Sequence, residues 1–149
     1  MDRDEAIKLL NGGTEGIAEW NRRRRTGETI PDLARVDVSG PDLRAANLSE
    51  TNLSEANLAG VNLKKGSIFK ARLCRANLSG ADLRKCFVSW ADLQGADLRN
   101  SNLSRAKCFK AKVIADARGW GKSRKVYLEV RNRLIKDLKA EESSGPKPG

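Results

Sequence analysis

Leucine recurs at every fifth residue through the middle of this chain, and no other feature constrains its fold as strongly. The stretch 49–63 reads SETNLSEANLAGVNL, with leucines at Leu53, Leu58 and Leu63. An α-helix repeats about every 3.6 residues and a β-strand every two, so neither element alone explains this period. The period therefore indicates a short unit that is repeated many times.

The five-residue frame runs without a break from Leu33 to Val113, through seventeen positions of which twelve are leucine. A small residue, usually Ala, stands two positions before most of these lattice residues, and the residue between them is mostly Asn or Asp. Residues two apart point the same way in an extended backbone, so each unit is predicted to be a short strand segment followed by a corner. Stacked coils of such units would form a solenoid with Leu and Ala inside. The other lattice residues are Val38, Ile68, Val88, Cys108 and Val113.

The units ANLSE, ANLAG, ANLSG, ADLRK, ADLQG and ADLRN resemble the A(D/N)LXX unit of pentapeptide-repeat proteins. The resemblance covers residues 31–117. It implies a mainly β fold, a right-handed quadrilateral β-helix with four units per coil, and thus about four coils in this chain. The sequence period predicts units of five residues, and the number of units per coil is implied by the resemblance alone.

The segments on either side of the repeat differ from it. Residues 1–30 are predicted to be a helical capping segment of two short helices, the first over residues 3–10 and the second capped by Thr14. This stretch is similar to a leader seen before bacterial pentapeptide repeats, and it would cover the strand edges of the first coil. Residues 118–141 are predicted to form a C-terminal helix, because apolar residues recur at intervals of three and four. Residues 142–149 are predicted to be a disordered tail.

The chain is basic, with 29 Lys and Arg against 19 Asp and Glu and a formal net charge of +10. A basic surface favours anionic partners. No apolar run reaches the roughly 20 residues of a membrane-spanning helix, and the N-terminus MDRDEAIKLL lacks a signal-peptide core. We therefore expect a cytoplasmic protein that does not associate with membranes. The three cysteines are widely spaced and histidine is absent, so we expect reduced thiols and no metal or cofactor; they are Cys74, Cys86 and Cys108.

No catalytic set of residues stands out. Histidine, the commonest general base, is missing, and GWGKS at 119–123 lacks the spacing of a phosphate-binding loop. The run Arg22–Arg25 could bind phosphate, but the helix macrodipole also favours a basic last helical turn. The protein is predicted not to be an enzyme.

With four units per coil, residues twenty apart share a face. One face carries a basic stripe, the candidate anion-binding site: Arg44, Lys64, Lys65, Arg84, Lys85 and Arg105. Another face is plain, with small residues at the outer positions Ser39–Gly40, Ala59–Gly60 and Ser79–Gly80. A third face, the aromatic face, is the candidate partner-binding site: Phe69, Lys70, Phe87, Trp90, Lys107, Phe109 and Lys110.

The aromatic face has two interpretations. Exposed aromatic residues with a lysine rim are typical of a protein-binding site. Alternatively, the terminal helix packs on this face, or local slippage turns Phe69 or Phe109 inward, because an apolar patch of this size needs a cover.

The leading hypothesis is a non-catalytic scaffold or binding protein that presents a rigid β-helix surface to a macromolecular partner, with a protein as the expected partner. The resemblance also implies an alternative, a regulator of DNA gyrase or another topoisomerase, but the positive charge of the repeat disfavours DNA mimicry. Binding of nucleic acid through the basic stripe is a further alternative. The C-terminal helix is a candidate homodimer contact, as the resemblance implies, through Val126, Tyr127, Val130, Leu134 and Leu138.

Overall fold

The structure is a computed structural model, and it describes residues 1–108. Two helices open the chain, α1 over Arg3–Leu10 and α2 over Gly13–Arg25. Asp2 caps α1, since its carboxylate accepts a hydrogen bond from the N–H of Glu5 at 2.8 Å, and so satisfies a donor that the first turn leaves open. The first helix therefore has the predicted bounds. The expectation that Thr14 caps the second helix is wrong, because α2 begins before it and has Gly12 as its N-cap.

The two helices approach closely because Gly16 has no side chain. A Cβ atom at this position would lie 2.2 Å from the carbonyl oxygen of Leu9. The contact places Ile17 and Trp20 in the same buried cluster as the first lattice residues. The helices and the repeat therefore share one core.

From the first lattice residue onward, the chain returns to the same position after every twenty residues. Eleven parallel bridges each pair residues twenty apart, from Asp37 with Asn57 to Phe87 with Lys107. Twenty residues hold four five-residue units, and such a set is called a coil below. The strand segments are shorter than predicted, because each is reduced to a single bridging residue by the turn that takes up most of the unit.

The lattice residues fill the interior of the coils, as the period predicts. All sixteen of them between Leu33 and Cys108 are at most 2% exposed. The small residues two positions earlier complete the interior, and most of them are equally buried. Burial of this column of aliphatic side chains is the main stabilising term of the repeat, at about 1.5–3 kcal/mol for each large side chain.

Each unit ends in a tight turn that needs one left-handed residue. In the second coil, the N–H of Ala56 donates to the carbonyl oxygen of Leu53 at 3.1 Å, and Glu55 between them has a φ of 59°. Glycine adopts this conformation without strain. Four corners use it, but eleven corners have other residues with φ between 55° and 62°. The glycine corners are Gly40, Gly60, Gly80 and Gly95.

The Asn or Asp residue before each lattice position stabilises this turn. All twelve such side chains, from Asp32 to Asn102, accept a hydrogen bond from the backbone N–H two residues further on. This is the Asx-turn arrangement. Some also join coils, as where Asn77 Nδ2 donates to Asn57 Oδ1 at 3.2 Å. These residues are therefore structural.

Side chains of the two helices hydrogen-bond to the backbone edge of the first coil. Trp20 Nε1 donates to the carbonyl oxygen of Asn47 at 2.9 Å, and Asn21 Oδ1 accepts from the N–H of the same Asn47 at 2.9 Å. Arg3 donates to the carbonyl oxygens of Asp32 and Ala34, each at 2.5 Å. In later coils the equivalent groups bond to the preceding coil. Side chains of the two helices therefore supply hydrogen-bond partners to backbone groups at this edge.

Several predictions fall on residues 109–149, outside the described part of the chain. They concern the last repeat units, the C-terminal helix at 118–141, the tail at 142–149, Phe109 and Lys110 of the aromatic face, and all five candidate dimer residues.

Candidate binding surfaces

The aromatic face follows the predicted arrangement for its described residues. Phe87 is 44% exposed and Trp90 is 46% exposed, while Phe69 is half-buried. The lattice residue Val88 between the two exposed rings is buried. The local slippage considered for Phe69 does not occur, because its neighbour Ile68 keeps its interior place.

Lysine side chains lie over two of these rings. Lys107 Nζ is 4.5 Å from the ring centroid of Phe87, and Lys70 Nζ is 5.3 Å from that of Phe69. Both distances are within the range of cation–π attraction. The bridge between Phe87 and Lys107 holds the first pair in neighbouring coils.

Trp90 occupies a turn corner, with a φ of 62°. A bulky residue in the left-handed region is strained by about 1 kcal/mol or more relative to glycine. The equivalent corner of the plain face is Gly80. Nothing in the turn itself calls for tryptophan, so its presence points to a role of the side chain.

The structure divides the basic stripe into paired and unpaired cations. Arg44 and Arg84 fold back on the Asp two residues before them, with Nη2 to carboxylate distances of 2.6 Å. The hydrogen bond from Arg84 is the main cause that lowers the pKa of Asp82, and the nearby charge of Lys64 also contributes. Among the residues that the structure describes, the remaining four members form no ion pair; they are Lys64, Lys65, Lys85 and Arg105.

The arginine run at the end of α2 is largely used within the protein. Arg22 and Arg23 both bind Glu19, at 2.6 Å and 2.8 Å, and these bonds lower the pKa of that carboxyl to about 2. Arg24 donates to the carbonyl oxygen of Ser49 at the edge of the first coil. The run therefore matches the basic last helical turn that we weighed against a phosphate site.

The three cysteines are thiols, as predicted. Burial raises the pKa of the Cys86 thiol to about 12, and burial also raises that of Cys74. Within residues 1–108, no group of three or more His, Cys, Asp or Glu side chains is placed to hold a metal ion. In the same part of the chain, no helix is both long and apolar enough to span a bilayer.

The profile of pentapeptide repeats matches residues 32–67 and 71–107, with eight copies. A pentapeptide repeat protein from the Arabidopsis thaliana thylakoid lumen is 30% identical, over 72% of this chain and 89% of that one, with a TM-score of 0.52. The chain belongs to the pentapeptide-repeat family. The prediction of the family is thus confirmed, and with it the β-helical class of fold that its members share.

Other solved structures are more distant. A pentapeptide repeat protein from Nostoc PCC 7120 is 28% identical over 62% of this chain and 94% of that one, with a TM-score of 0.46. QnrB1, a plasmid-mediated fluoroquinolone resistance protein, is 20% identical over 70% of this chain and 59% of that one, with a TM-score of 0.38. No curated protein matches the sequence. The comparisons therefore give the family without a specific function.

The sequence patterns missed one relation between the two surfaces. Lys85 belongs to the basic stripe and Phe87 to the aromatic face, and only the buried Cys86 separates them. The sequence KCF at 85–87 already shows that Lys85 and Phe87 are neighbours. Because residues were sorted by face, however, the two were assigned to different sites. The two surfaces meet at this edge.

Proposed function

We propose that this protein is a non-catalytic binding or scaffold protein that presents the aromatic face to a macromolecular partner. The observation that carries the proposal is the exposure of Phe87 and Trp90 at positions where the repeat does not need aromatic residues. The equivalent positions of the plain face are Asn77 and Gly80, which suit the turn. Large exposed rings with a polar rim are typical anchors of binding sites.

The fold would suit such a role. We propose a right-handed quadrilateral β-helix of about four coils, with α1 and α2 as its cap and a helix at its C-terminal end. The bridges twenty residues apart support the coils, and the hydrogen bonds that Trp20, Asn21 and Arg3 form with the first coil support the cap. A stack of closed coils is rigid, so it can hold side chains in place for a partner.

Capture from a cell extract tests the binding role. The bait is the full chain, and the matched variant Phe87→Asn/Trp90→Gly installs the two residues of the plain face. We expect specific proteins or nucleic acids to be retained by the wild type and lost with the variant. Equal retention by both baits, at low and at high salt, would refute the aromatic face as the binding site.

Regulation of a topoisomerase by DNA mimicry is the weaker alternative. Residues 31–108 carry twelve basic and eight acidic side chains, whereas a mimic of DNA needs an acidic surface. A DNA gyrase supercoiling assay separates the two functions. We expect no protection and no inhibition by the purified protein.

We also propose that the protein is a homodimer through its C-terminal segment. The apolar positions Val126, Val130 and Leu134 recur at helical spacing, and an amphipathic helix needs a covering surface. Light scattering on the full chain and on a chain truncated after Gly121 tests this. A monomeric full chain refutes the dimer, and aggregation of the truncated chain would then indicate that the segment covers the aromatic face.

A further inference from the structure

We infer that the edge where the basic stripe meets the aromatic face binds single-stranded nucleic acid. Phe87 would stack on a base, and the surrounding cations would contact phosphates. We call the cations the basic edge: Lys65, Lys85, Arg105 and Lys107. The inference rests on the proposed function and names the class of partner for the same surface.

The backbone brings these side chains together in three successive coils. Lys85 and Phe87 flank the buried Cys86, and one coil further Arg105 and Lys107 flank the buried Ala106. The bridge between Phe87 and Lys107 fixes these coils next to each other, at a strand spacing of about 4.8 Å. Lys65 occupies the same corner one coil earlier, since its N–H donates to the carbonyl oxygen of Arg84. All four cations and the ring are exposed.

In the part of the chain that the structure describes, the charges of the basic edge have no acidic partners. Within residues 1–108, none of the four cations forms an ion pair. The opposite face, by which we mean the face with the corners Arg35, Glu55, Arg75 and Gly95, shows that the fold does not require this. Arg35 there pairs with Glu55 at 3.2 Å. Stacked like charges repel one another, and a bound polyanion would relieve that repulsion.

Phe87 is as unusual as the charges around it. Twelve of the sixteen positions of its type between residues 32 and 107 are Asn or Asp, and all twelve stabilise a turn. Phe87 gives up that hydrogen-bonding role and exposes 44% of its surface. Lys107 holds its ammonium 4.5 Å from the ring centroid. A base stacked on the ring would bring its phosphate within reach of this cation and of Lys85.

The residue types favour nucleic acid over protein. Lysine is depleted in protein–protein interfaces, but three of the four cations here are lysines. A ring among cations is the arrangement by which proteins bind single strands, because the base faces are open to stacking. In a duplex, the base faces are stacked on one another and are not available to Phe87.

The test measures binding of a labelled oligothymidylate of about 15 nucleotides to the full chain by fluorescence anisotropy. We expect binding at about 50 mM salt, with log K falling against log[salt] at a slope of about −3 for four cations on a single strand. Phe87→Asn should weaken binding at least about fivefold without changing that slope. Asn is one of the two residue types, Asn and Asp, that most units have at this position, so folding should be retained.

A matched pair of charge variants isolates the basic edge. Lys85→Gln/Lys107→Gln should make the salt slope shallower by about 1.4. Arg72→Gln/Arg75→Gln removes the same charge from the same two positions of the opposite face, and it should leave affinity and slope unchanged. Equal losses in the two variants would mean binding by net charge only, and would overturn the inference.

Three other results would also overturn it: no binding at low salt, no effect of Phe87→Asn, or equally tight binding of duplex DNA or polyglutamate. If the oligonucleotide does not bind but the extract capture still separates wild type from the Phe87→Asn/Trp90→Gly variant, the inference fails and the proposed function stands. If neither experiment gives a difference, both fail.

Discussion

The plain face and the aromatic face are built on the same backbone, yet their outer residues have opposite properties. The plain face uses Asn77 to hold the turn and Gly80 to make the corner without strain. The aromatic face has Phe87 and Trp90 at the equivalent positions, so it lacks the Asx side chain and accepts a strained corner. Interior residues below both faces are equally buried. The difference teaches that the interior determines the fold, while the exterior can depart from the repeat without changing the path of the backbone.

The largest expected effect on stability comes from comparing a charge in the interior below the plain face with a charge on its outer surface. Leu78 is fully buried and Ser79 is only half-buried at the outer surface. Leu78→Asp should destabilise the protein by more than about 4 kcal/mol, because it leaves a cavity and an unpaired buried carboxylate. Ser79→Asp should be tolerated. Thermal unfolding followed by circular dichroism checks the pair, and equal melting temperatures would contradict the assignment of inside and outside.

The next effect compares the Asx position of the two faces. Asn77→Ala removes the hydrogen bond to the N–H of Ser79 and the bond to Asn57, and it should cost about 1–2 kcal/mol. Phe87→Asn should be neutral or stabilising, because it gives the turn an Asx side chain, as most units have. Urea unfolding of both variants measures the difference. A loss of stability in Phe87→Asn as large as that in Asn77→Ala would show that the ring is structural.

A smaller effect depends on pH and concerns the interior of the aromatic face. The pKa of Cys86 is raised from 9.0 to about 12 by burial. Below pH 9 both the folded and the unfolded thiol keep their proton; between pH 9 and 12 only the unfolded thiol loses it, so stability should fall as pH rises. Cys86→Ala, which copies Ala76 below the plain face, should show a flatter fall in the same reducing buffer. Parallel alkaline unfolding curves for the two proteins would contradict this.

The smallest effect concerns the cation over the exposed ring. Lys107→Gln should cost about 0.5 kcal/mol in the wild type, because it removes the charge above Phe87. In the Phe87→Asn variant the same change should cost nothing, since no ring is left. A double-mutant cycle measures the coupling, and an equal cost in both backgrounds would exclude a cation–π contribution.

The sequence alone was enough for the interior of the repeat and for the bounds of α1, and for the interior the reason is periodicity. Burial of a side chain depends on its place in the frame, so Leu33 and Cys108 could be assigned as safely as the leucines between them. The start of α2 was not predictable from residue types, because both Gly12 and Thr14 suit a helix N-cap. The close approach at Gly16, which ties α2 to α1, depends on tertiary packing.

The surfaces were only partly predictable. The face of each residue follows from its number once four units make a coil, so Phe87 and Lys85 were placed outside correctly. Ion pairing was not predictable, because Arg44 folds back on Asp42 while Lys65 forms no ion pair with any residue that the structure describes. These outcomes depend on side-chain length and rotamer. The Asx turns were missed, although Asn or Asp two residues before a turn N–H is a known signal.

The interior repeats every five residues, but the outer faces repeat every twenty. This difference has a consequence for how such a chain tolerates insertions and deletions. Removing five residues, for example 76–80, would leave the interior sequence in frame, so the coils should still close. Every later outer residue would move by one face, and Phe87 would no longer lie beside Ser67. An insertion or deletion of one unit should therefore keep the coils and their interior, but should move every later outer residue to the neighbouring face. Only an insertion or deletion of a whole coil of twenty residues should preserve both the interior frame and the face of each later residue.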